Sequence, residues 1–338
     1  MRIWQYSGTK GGLENNLKLN STPLPVPKHN QHLVQVIAMA LNPVDYKLAE
    51  MPLVGRLIRP KLATPGIDFA GVIVTPAKDS SLKSGQLVFG ASGASPLASG
   101  ALSEFTVPQP ASSTSIPEGV DPIQAAGLTV AGMTAYQSIV PRVTPGDRIF
   151  INGGSGGTGM FGIQIAKAVG CHVTTTCSTE NVDLCKSLGA DEVIDYKKGS
   201  VLEALKICEP KLDHAVDNVG HDKDLWWHSH EYLKPGAVYI KVAADLSLHS
   251  VMDTIKAKII PGCLGGVKRN LEGFRPSSRR EDLIELVKLM KEGKIKTVID
   301  SKFSFEEAPK AFVRLKTGRA KGKVVVDVAV ETYNKSWA

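Results

Sequence analysis

Apolar residues in the first third of the chain come in short runs. Leu33-Val-Gln-Val-Ile37, Asp68-Phe-Ala-Gly-Val-Ile-Val74 and Gln86-Leu-Val-Phe-Gly90 each suit one strand, with Pro and Gly punctuating the chain between them. This predicts a mostly β, barrel-like unit. From Asp121 the rhythm changes. Residues 124–140 read as a helix, and strand-like runs then alternate with helical spacing. The strands fall at 148–151, 171–178, 192–195, 214–217 and 237–242. The helices fall at 181–188, 200–207 and 222–231, with another beginning near Ile163. Such alternation predicts a parallel sheet covered by helices on both faces. Residues 252–274 read as a helix followed by glycine-rich loop. Beyond them Leu283, Leu286, Val287, Leu289 and Met290 mark an amphipathic helix. A strand at 296–299, a helix at 306–315 and a last strand at 322–328 close the pattern.

The first strand of the alternating region runs into Ile149-Phe-Ile-Asn-Gly-Gly-Ser-Gly-Gly-Thr-Gly-Met-Phe-Gly162. Gly154, Gly156 and Gly159 have the G-x-G-x-x-G spacing, placed between a strand and a helix. One glycine makes the tight turn, one lets backbone approach a pyrophosphate, and one lets the helix pack on the strand. The helix N-terminus offers free N–H groups and positive dipole density to phosphate. Ser155, Gly157 and Thr158 belong to the same loop, so the segment predicts a Rossmann dinucleotide site. The alternative is an ordinary glycine-rich turn.

The next strand end bears on which dinucleotide binds. An Asp or Glu about 20 residues after the glycines accepts bonds from the ribose hydroxyls in NAD sites. Here Cys177 stands 23 positions after Gly154, followed by Ser178 and Thr179. No acid would repel a 2′-phosphate there, and Ser178 can donate to it. Asn181 follows closely, and Tyr196 lies after the following strand. These residues favour NADPH. Glu180 opposes that reading if it points inward, and is neutral if it faces solvent in the first turn of the next helix.

Composition changes this picture little. The chain has 338 residues, room for about two domains, with 43% hydrophobic and 22% charged residues. No apolar run reaches the ~18 residues of a membrane span, and residues 1–6 enter a strand-like segment directly, so a cytoplasmic location is expected. The five cysteines form no C-x-x-C, which suits a reducing compartment. The net charge of +7 is scattered, without a nucleic-acid motif, so no nucleic acid partner is expected. His214, His221, His228 and His230 lack carboxylate partners at ligand spacing, Trp226 and Trp227 read as packing, and no metal site is expected.

Many segments together resemble the zinc-independent quinone oxidoreductase branch of the medium-chain dehydrogenase/reductase superfamily. They are Leu41-Asn-Pro-Val-Asp-Tyr-Lys47, Pro65-Gly-Ile-Asp-Phe-Ala-Gly71, Gly100-Ala-Leu-Ser-Glu-Phe105, 125–136, Pro145-Gly-Asp147, the glycine loop, Ser187-Leu-Gly-Ala-Asp191 and Gly318-Arg-Ala-Lys-Gly-Lys-Val324. Lys294-Ile-Lys-Thr-Val-Ile-Asp-Ser301 looks most like the chloroplast-envelope quinone oxidoreductase and alkenal/oxoene reductase group; reticulon-interacting mitochondrial relatives are also similar. The resemblance implies an α/β chain: a GroES-like, mostly β catalytic domain over 1–121, completed by 278–338, and a Rossmann doubly wound parallel sheet over 122–277. It implies a homodimer, and hydride transfer from NADPH to a small conjugated carbonyl acceptor, a quinone or an α,β-unsaturated ketone or aldehyde.

The resemblance places Asn42, Tyr46 and Lys47 at the nicotinamide end. Tyr46 and Lys47 become candidate donors to the developing oxyanion, with Lys47 alternatively holding cofactor phosphate or ribose. The plainer alternatives are that Tyr46 packs and Lys47 is a surface charge. Thr134, Asn218 and Val219 would lie near nicotinamide and ribose. Val242 and Ala243 would line the nicotinamide pocket, and Gly322 and Lys323 would close over the cofactor. Cys177, Ser178 and Asn181 complete the expected set, and Asp217 reads as a structural strand-end residue. Zinc-dependent relatives carry Cys within the segment matching Asn42-Pro-Val-Asp45, and Gly-His-Glu where this chain has Gly66-Ile-Asp68. Thr129 replaces a frequent proline, and Glu180 a frequent basic residue. A pathway-specific enoyl reductase of natural-product biosynthesis and a weakly catalytic NADPH-binding interaction protein are the competing readings.

Overall fold

The computed structural model describes residues 1–51, 55, 57, 60–93, 97, 100–242, 252, 255–257, 259–260, 266–274 and 276–328. Ala243, and much of what was expected of 252–274, lie outside the described residues. The chain forms two compact units, Met1–Met133 with Ser277–Ala338, and Thr134–Pro276.

In the first unit a seven-stranded sheet runs in the order Ile299–Ser304, Lys323–Asp327, Leu33–Leu41, Asp68–Thr75, Leu87–Ala91, Ser113–Ser115, and Phe105–Thr106 pairs with Leu33–Leu41. The neighbours are antiparallel except the first pair. Strand Leu33–Leu41 is buried at almost every position, as befits a central strand covered on both faces. The C-terminal strand is integral: Val324 pairs with Leu41 and Val326 with Met39. Trp4, Tyr6, Phe69, Phe305 and Phe312 fill one core with Leu13 and Met39. The Trp4 indole N–H donates to the Phe305 carbonyl at 2.7 Å, so even this buried polar atom is satisfied.

Two elements differ from the sequence expectation. The helix expected at 124–140 is two helices, Pro122–Ala126 and Thr129–Ile139. The Thr297 hydroxyl donates to the Gln124 carbonyl at 2.7 Å, and a Cβ on Gly127 would sit 2.5 Å from the Thr297 methyl. The chain therefore breaks to let Thr297 in. The strand expected at 296–299 is Ile299–Ser304 instead. Ile295 and Thr297 are buried anchors leading into it rather than parts of the sheet.

The second unit is a six-stranded parallel sheet. Its order is Glu192–Asp195, His172–Cys177, Arg148–Asn152, Leu212–Asp217, Leu233–Lys241, Asn270–Gly273. Numbered along the chain within this unit, the order is 3-2-1-4-5-6, the doubly wound Rossmann arrangement. The order of the strands along the chain reverses between Arg148–Asn152 and Leu212–Asp217, which run parallel, and this is the place where such sheets bind ligands outside their carboxyl ends. Helix Gly157–Val169 packs on the sheet through Phe161, Ile163 and Ile165 and stops at Gly170, left-handed at φ 99°. Phe150, Trp226, Tyr232 and Tyr239 build a second core, each fully buried aromatic contributing about 1.5–3 kcal/mol.

Candidate functional site

The glycine loop starts where Asn152 ends its strand. Gly153, not Gly154, makes the tight turn, at φ 81°. Its N–H donates to the Thr176 hydroxyl at 2.8 Å, and the Gly154 N–H donates to the Thr176 carbonyl at 2.9 Å. A Cβ on Gly154 would collide with the Thr175 hydroxyl, and one on Gly159 with the Gly153 carbonyl. Both glycines therefore serve close packing of loop, helix and strand. At Gly156 a Cβ would have no protein atom nearer than the Gly153 carbonyl, at 3.5 Å. That open space lies before the first turn of a 13-residue helix with no side-chain cap. Ser155, Gly157 and Thr158 are partly exposed beside it. Uncapped N–H groups behind a bare backbone are what a pyrophosphate requires, so the loop fits a dinucleotide.

The switch-point strand ends are tied together by Asp217. Its Oδ1 accepts from Asn152 Nδ2 at 2.8 Å and from the Val219 and Gly220 N–H groups at 2.9 Å, and its Oδ2 accepts from the Tyr239 hydroxyl at 2.8 Å. Burial and this carboxylate push the Tyr239 phenol well above its ordinary range. Asn218 donates through Nδ2 to the Asn152 carbonyl at 3.2 Å, and its buried Oδ1 has no partner. Val219 is exposed, and the Val242 N–H donates to the Asp217 carbonyl at 2.9 Å. Thus Asn218, Val219 and Val242 gather at this strand end. Thr134 is buried on helix Thr129–Ile139.

At the neighbouring strand end Cys177 is buried against Cys185, and burial raises both thiols, so neither is a reactive thiolate. Ser178 and Asn181 are buried just after it. The Tyr196 N–H donates to the Cys177 carbonyl at 3.2 Å, which puts Tyr196 beside this strand end. Its ring is half-exposed, with Lys197 Nζ 5.6 Å from the ring centroid. Glu180 is exposed. Of the histidines, His214 is buried against the Ser138 carbonyl and His228 and His230 stack on each other; among the described residues no three His, Cys, Asp or Glu converge.

The first unit holds a buried polar cluster that the sequence did not announce. Lys323 Nζ donates to Asn42 Oδ1 at 2.6 Å and lies 3.3 Å from Asp68 Oδ2. Asn42 Nδ2 donates to the same Asp68 oxygen at 2.8 Å, and the Val130 N–H, at the start of helix Thr129–Ile139, donates to the other at 3.1 Å. Asp45 Oδ2 accepts from the Asn42 N–H at 2.7 Å, while its Oδ1 is buried without a partner. Lys323 is 2% exposed, and Asp45 and Asp68 are 0% exposed. Asn42 and Lys323, expected beside the cofactor, are thus bound to one another in the interior. Gly322 owes its place to the close Val298 carbonyl and its φ of 110°. The sign available in the sequence was two acids and a lysine inside apolar runs.

Two carboxylates face one ammonium, so one extra negative charge would be buried unless a proton stays. Burial, then the Asp68 charge, push Asp45 up to about 8. Its ordinary value is near 3.8. Between those values the folded chain holds a proton the unfolded chain has lost, so this contribution to stability is full below pH 4 and disappears as pH rises to about 8. Asp45→Asn is expected to remove that pH dependence and to unfold at higher urea than the parent at pH 8–9, by up to ~5 kcal/mol. Urea titrations at pH 5 and 9 check it; an unchanged difference between parent and variant across that range would show Asp45 already ionised.

Tyr46 and Lys47 lie on helix Val44–Glu50. Tyr46 is half-buried beneath Lys316, whose Nζ is 5.5 Å from the ring and binds Glu14 at 2.7 Å and Glu50 at 2.8 Å. Burial and then Glu50 raise its phenol. Lys47 is exposed.

Both halves of the chain match known families. Residues 28–118 match the alcohol dehydrogenase GroES-like domain and residues 188–326 the zinc-binding dehydrogenase family. The chain is 46% identical, over 97% of its length and 96% of the relative's, to the trans-enoyl reductase pgmF of Aspergillus terreus. It belongs to the quinone oxidoreductase-like branch of the medium-chain dehydrogenase/reductase superfamily. A chloroplast envelope quinone oxidoreductase homolog from Arabidopsis thaliana is 33% identical over 97% of this chain and 98% of its own. The solved quinone oxidoreductase of Coxiella burnetii superposes with a TM-score of 0.83 at 30% identity, covering 97% of this chain and 99% of that one. The chain is therefore an oxidoreductase that binds a nicotinamide dinucleotide. Among the described residues no helix is long and apolar enough to cross a membrane.

Proposed function

We propose that this chain is an NADPH-dependent reductase of conjugated double bonds, acting without zinc on enoyl substrates: α,β-unsaturated ketones, aldehydes or thioesters. The observation that carries the reading is the near full-length match to a protein named as a trans-enoyl reductase. The relatives named as quinone oxidoreductases support a quinone as the second acceptor class. Bound NADPH supplies the hydride.

The chain supplies binding and polarity. The loop 153–159 and the uncapped helix behind it hold pyrophosphate, and Ser178 with Tyr196 faces the adenosine ribose. A conjugated acceptor spreads the arriving charge, so hydrogen-bond donors suffice where a saturated carbonyl calls for a Lewis acid. The ligand positions of zinc-dependent relatives, which hold neither the Cys nor the His here, agree with that chemistry. Tyr46 and Lys47 remain the proposed donors to the developing oxyanion, with Lys47 the freer of the two.

Following NADPH oxidation in EDTA, with an enone, an enoyl thioester, a quinone and a saturated aldehyde offered separately, tests the proposal. The conjugated acceptors are expected to react and the aldehyde to stay intact. Aldehyde reduction abolished by EDTA would sink it. Tyr46→Phe and Lys47→Ala are expected to lower turnover by about 10- to 100-fold while NADPH affinity changes little; full turnover in both removes them from the mechanism.

A further inference from the structure

We propose that Lys316 is a positioning residue for the reduction: it holds the Tyr46 ring, and the helix that carries it, where the phenol can donate. The inference deepens the proposed function and rests on Tyr46 as a donor to the oxyanion. Tyr46 and Glu50 stand four residues apart on helix Val44–Glu50, so their side chains share one face. Lys316 is the last residue of helix Ala308–Lys316. Its Nζ donates to Glu50 Oε1 at 2.8 Å and to Glu14 Oε2 at 2.7 Å, and it sits 5.5 Å from the centroid of the Tyr46 ring. One ammonium therefore joins three segments: the turn around Glu14, the helix of the phenol and the helix of Lys316 itself.

The last position of a helix disfavours an acid, because the carbonyls there carry negative dipole density. Glu50 stands at that position and is met by donors. Besides Lys316, the Leu13 N–H donates to the same Oε1 at 2.6 Å. The Thr9 hydroxyl donates to the Ala49 carbonyl at 3.4 Å, so the N-terminal segment grips the same helix end twice. Less than a quarter of each of the Glu14, Glu50 and Lys316 side chains is exposed. Burial opposes the Lys316 charge, but Glu14 and Glu50 outweigh burial and hold it above the usual lysine range. The ammonium is a fixed charge rather than a freely solvated one.

A cation over an aromatic face is attracted to it, and here two carboxylates keep that cation in place. Tyr46 also packs against the core that contains Leu13, Ala49 and Phe312. The ring is thus held by the core and by the ammonium. Lys47, one position on, is exposed. A donor already held in place loses less freedom when it meets the oxyanion, which is how a residue that never touches substrate raises turnover.

Lys316→Met keeps the apolar stem and removes the charge. Turnover and KM are read well below the melting temperature, with whichever of an enone, an enoyl thioester and a quinone the parent reduces fastest. The variant is expected to lose about 10-fold in kcat with KM for NADPH within about 2-fold, and Lys316→Arg to recover most of the loss. In Tyr46→Phe the same Lys316→Met change is expected to cost less than about 2-fold, because the phenol it acts through is gone. If Lys316→Met does not fold, Glu50→Gln carries the test. It loosens the ammonium from the helix, keeps an acceptor for Leu13, and is expected to cost about 5-fold in kcat alone and less than about 2-fold in Tyr46→Phe. Full turnover in the folded variant, or the same fold loss with and without the phenol, overturns the inference. Full turnover in Tyr46→Phe, or a parent inactive with every conjugated acceptor, defeats the reading beneath it and the inference with it.

Discussion

Gly156→Val is expected to weaken NADPH binding at least 100-fold, about 2.7 kcal/mol, while the protein stays folded. Gly159→Val is expected to lose binding and stability together. The two positions share a motif but face different neighbours. Gly156 is in extended backbone, φ −80° and ψ 169°, which valine adopts readily, and its Cβ direction opens onto space the protein leaves empty. Any penalty there is paid by what approaches the loop from outside. Gly159 faces the Gly153 carbonyl and, at 2.8 Å, the Gly154 Cα. Those are backbone atoms and cannot rotate away, so loop and helix must part. Fluorescence titration with NADPH beside a thermal melt separates the two outcomes. Unchanged affinity in Gly156→Val would mean that no phosphate passes over this backbone, and the nucleotide site would have to be sought elsewhere.

What the sequence made legible was local. The parallel sheet followed from strand and helix periods alternating over about a hundred residues, and the glycine loop from spacing within a single turn. Even there the tight turn falls at Gly153, outside the three spaced glycines, where Thr176 of the neighbouring strand binds the N–H groups of both Gly153 and Gly154. Misread elements failed where a distant residue intervened. Thr297 splits the helix at Gly127, 170 positions earlier, and its burial shifts the following strand. The strand ends at Asn152, Asp217 and Ser178, proposed to face the cofactor, can be located in the sequence because strand ends can be counted. Asn42 and Lys323 were assigned to the cofactor by resemblance, yet their partner Asp68 stands 26 positions from one and 255 from the other. No spacing rule reveals that contact; the only trace was charge inside apolar runs, which demands a buried counter-charge.

Lys323→Met is expected to destabilise the first unit by about 3–5 kcal/mol at neutral pH, the range for removing one partner of a buried pair. The ammonium is the only cation within hydrogen-bonding distance of Asp68 among the described residues, and Asp45 carries no compensating charge. With it gone, Asp68 keeps the Asn42 amide and the Val130 N–H. Two neutral donors do not offset the desolvation of a carboxylate buried completely, so Asp68 is expected to retain its proton well above its ordinary range. Burial already pushes it that way, with Lys323 the chief opposing influence. The sign of the pH effect follows. A raised Asp68 contributes stability that is present at low pH and lost as pH rises, so the deficit of Lys323→Met is expected to be small near pH 4 and to grow toward pH 8. Adding Asp68→Asn removes the stranded acid and is expected to restore part of the loss at pH 8, because the side chain is then neutral while its single Oδ1 accepts from only one of the two donors, the Asn42 amide or the Val130 N–H. Calorimetric melts of the parent, the single and the double variant at pH 5 and 8 decide it, at about 2–4 °C per kcal/mol for a unit of this size. If the double variant is no more stable than Lys323→Met alone, the lysine stem packs the core and its charge is incidental.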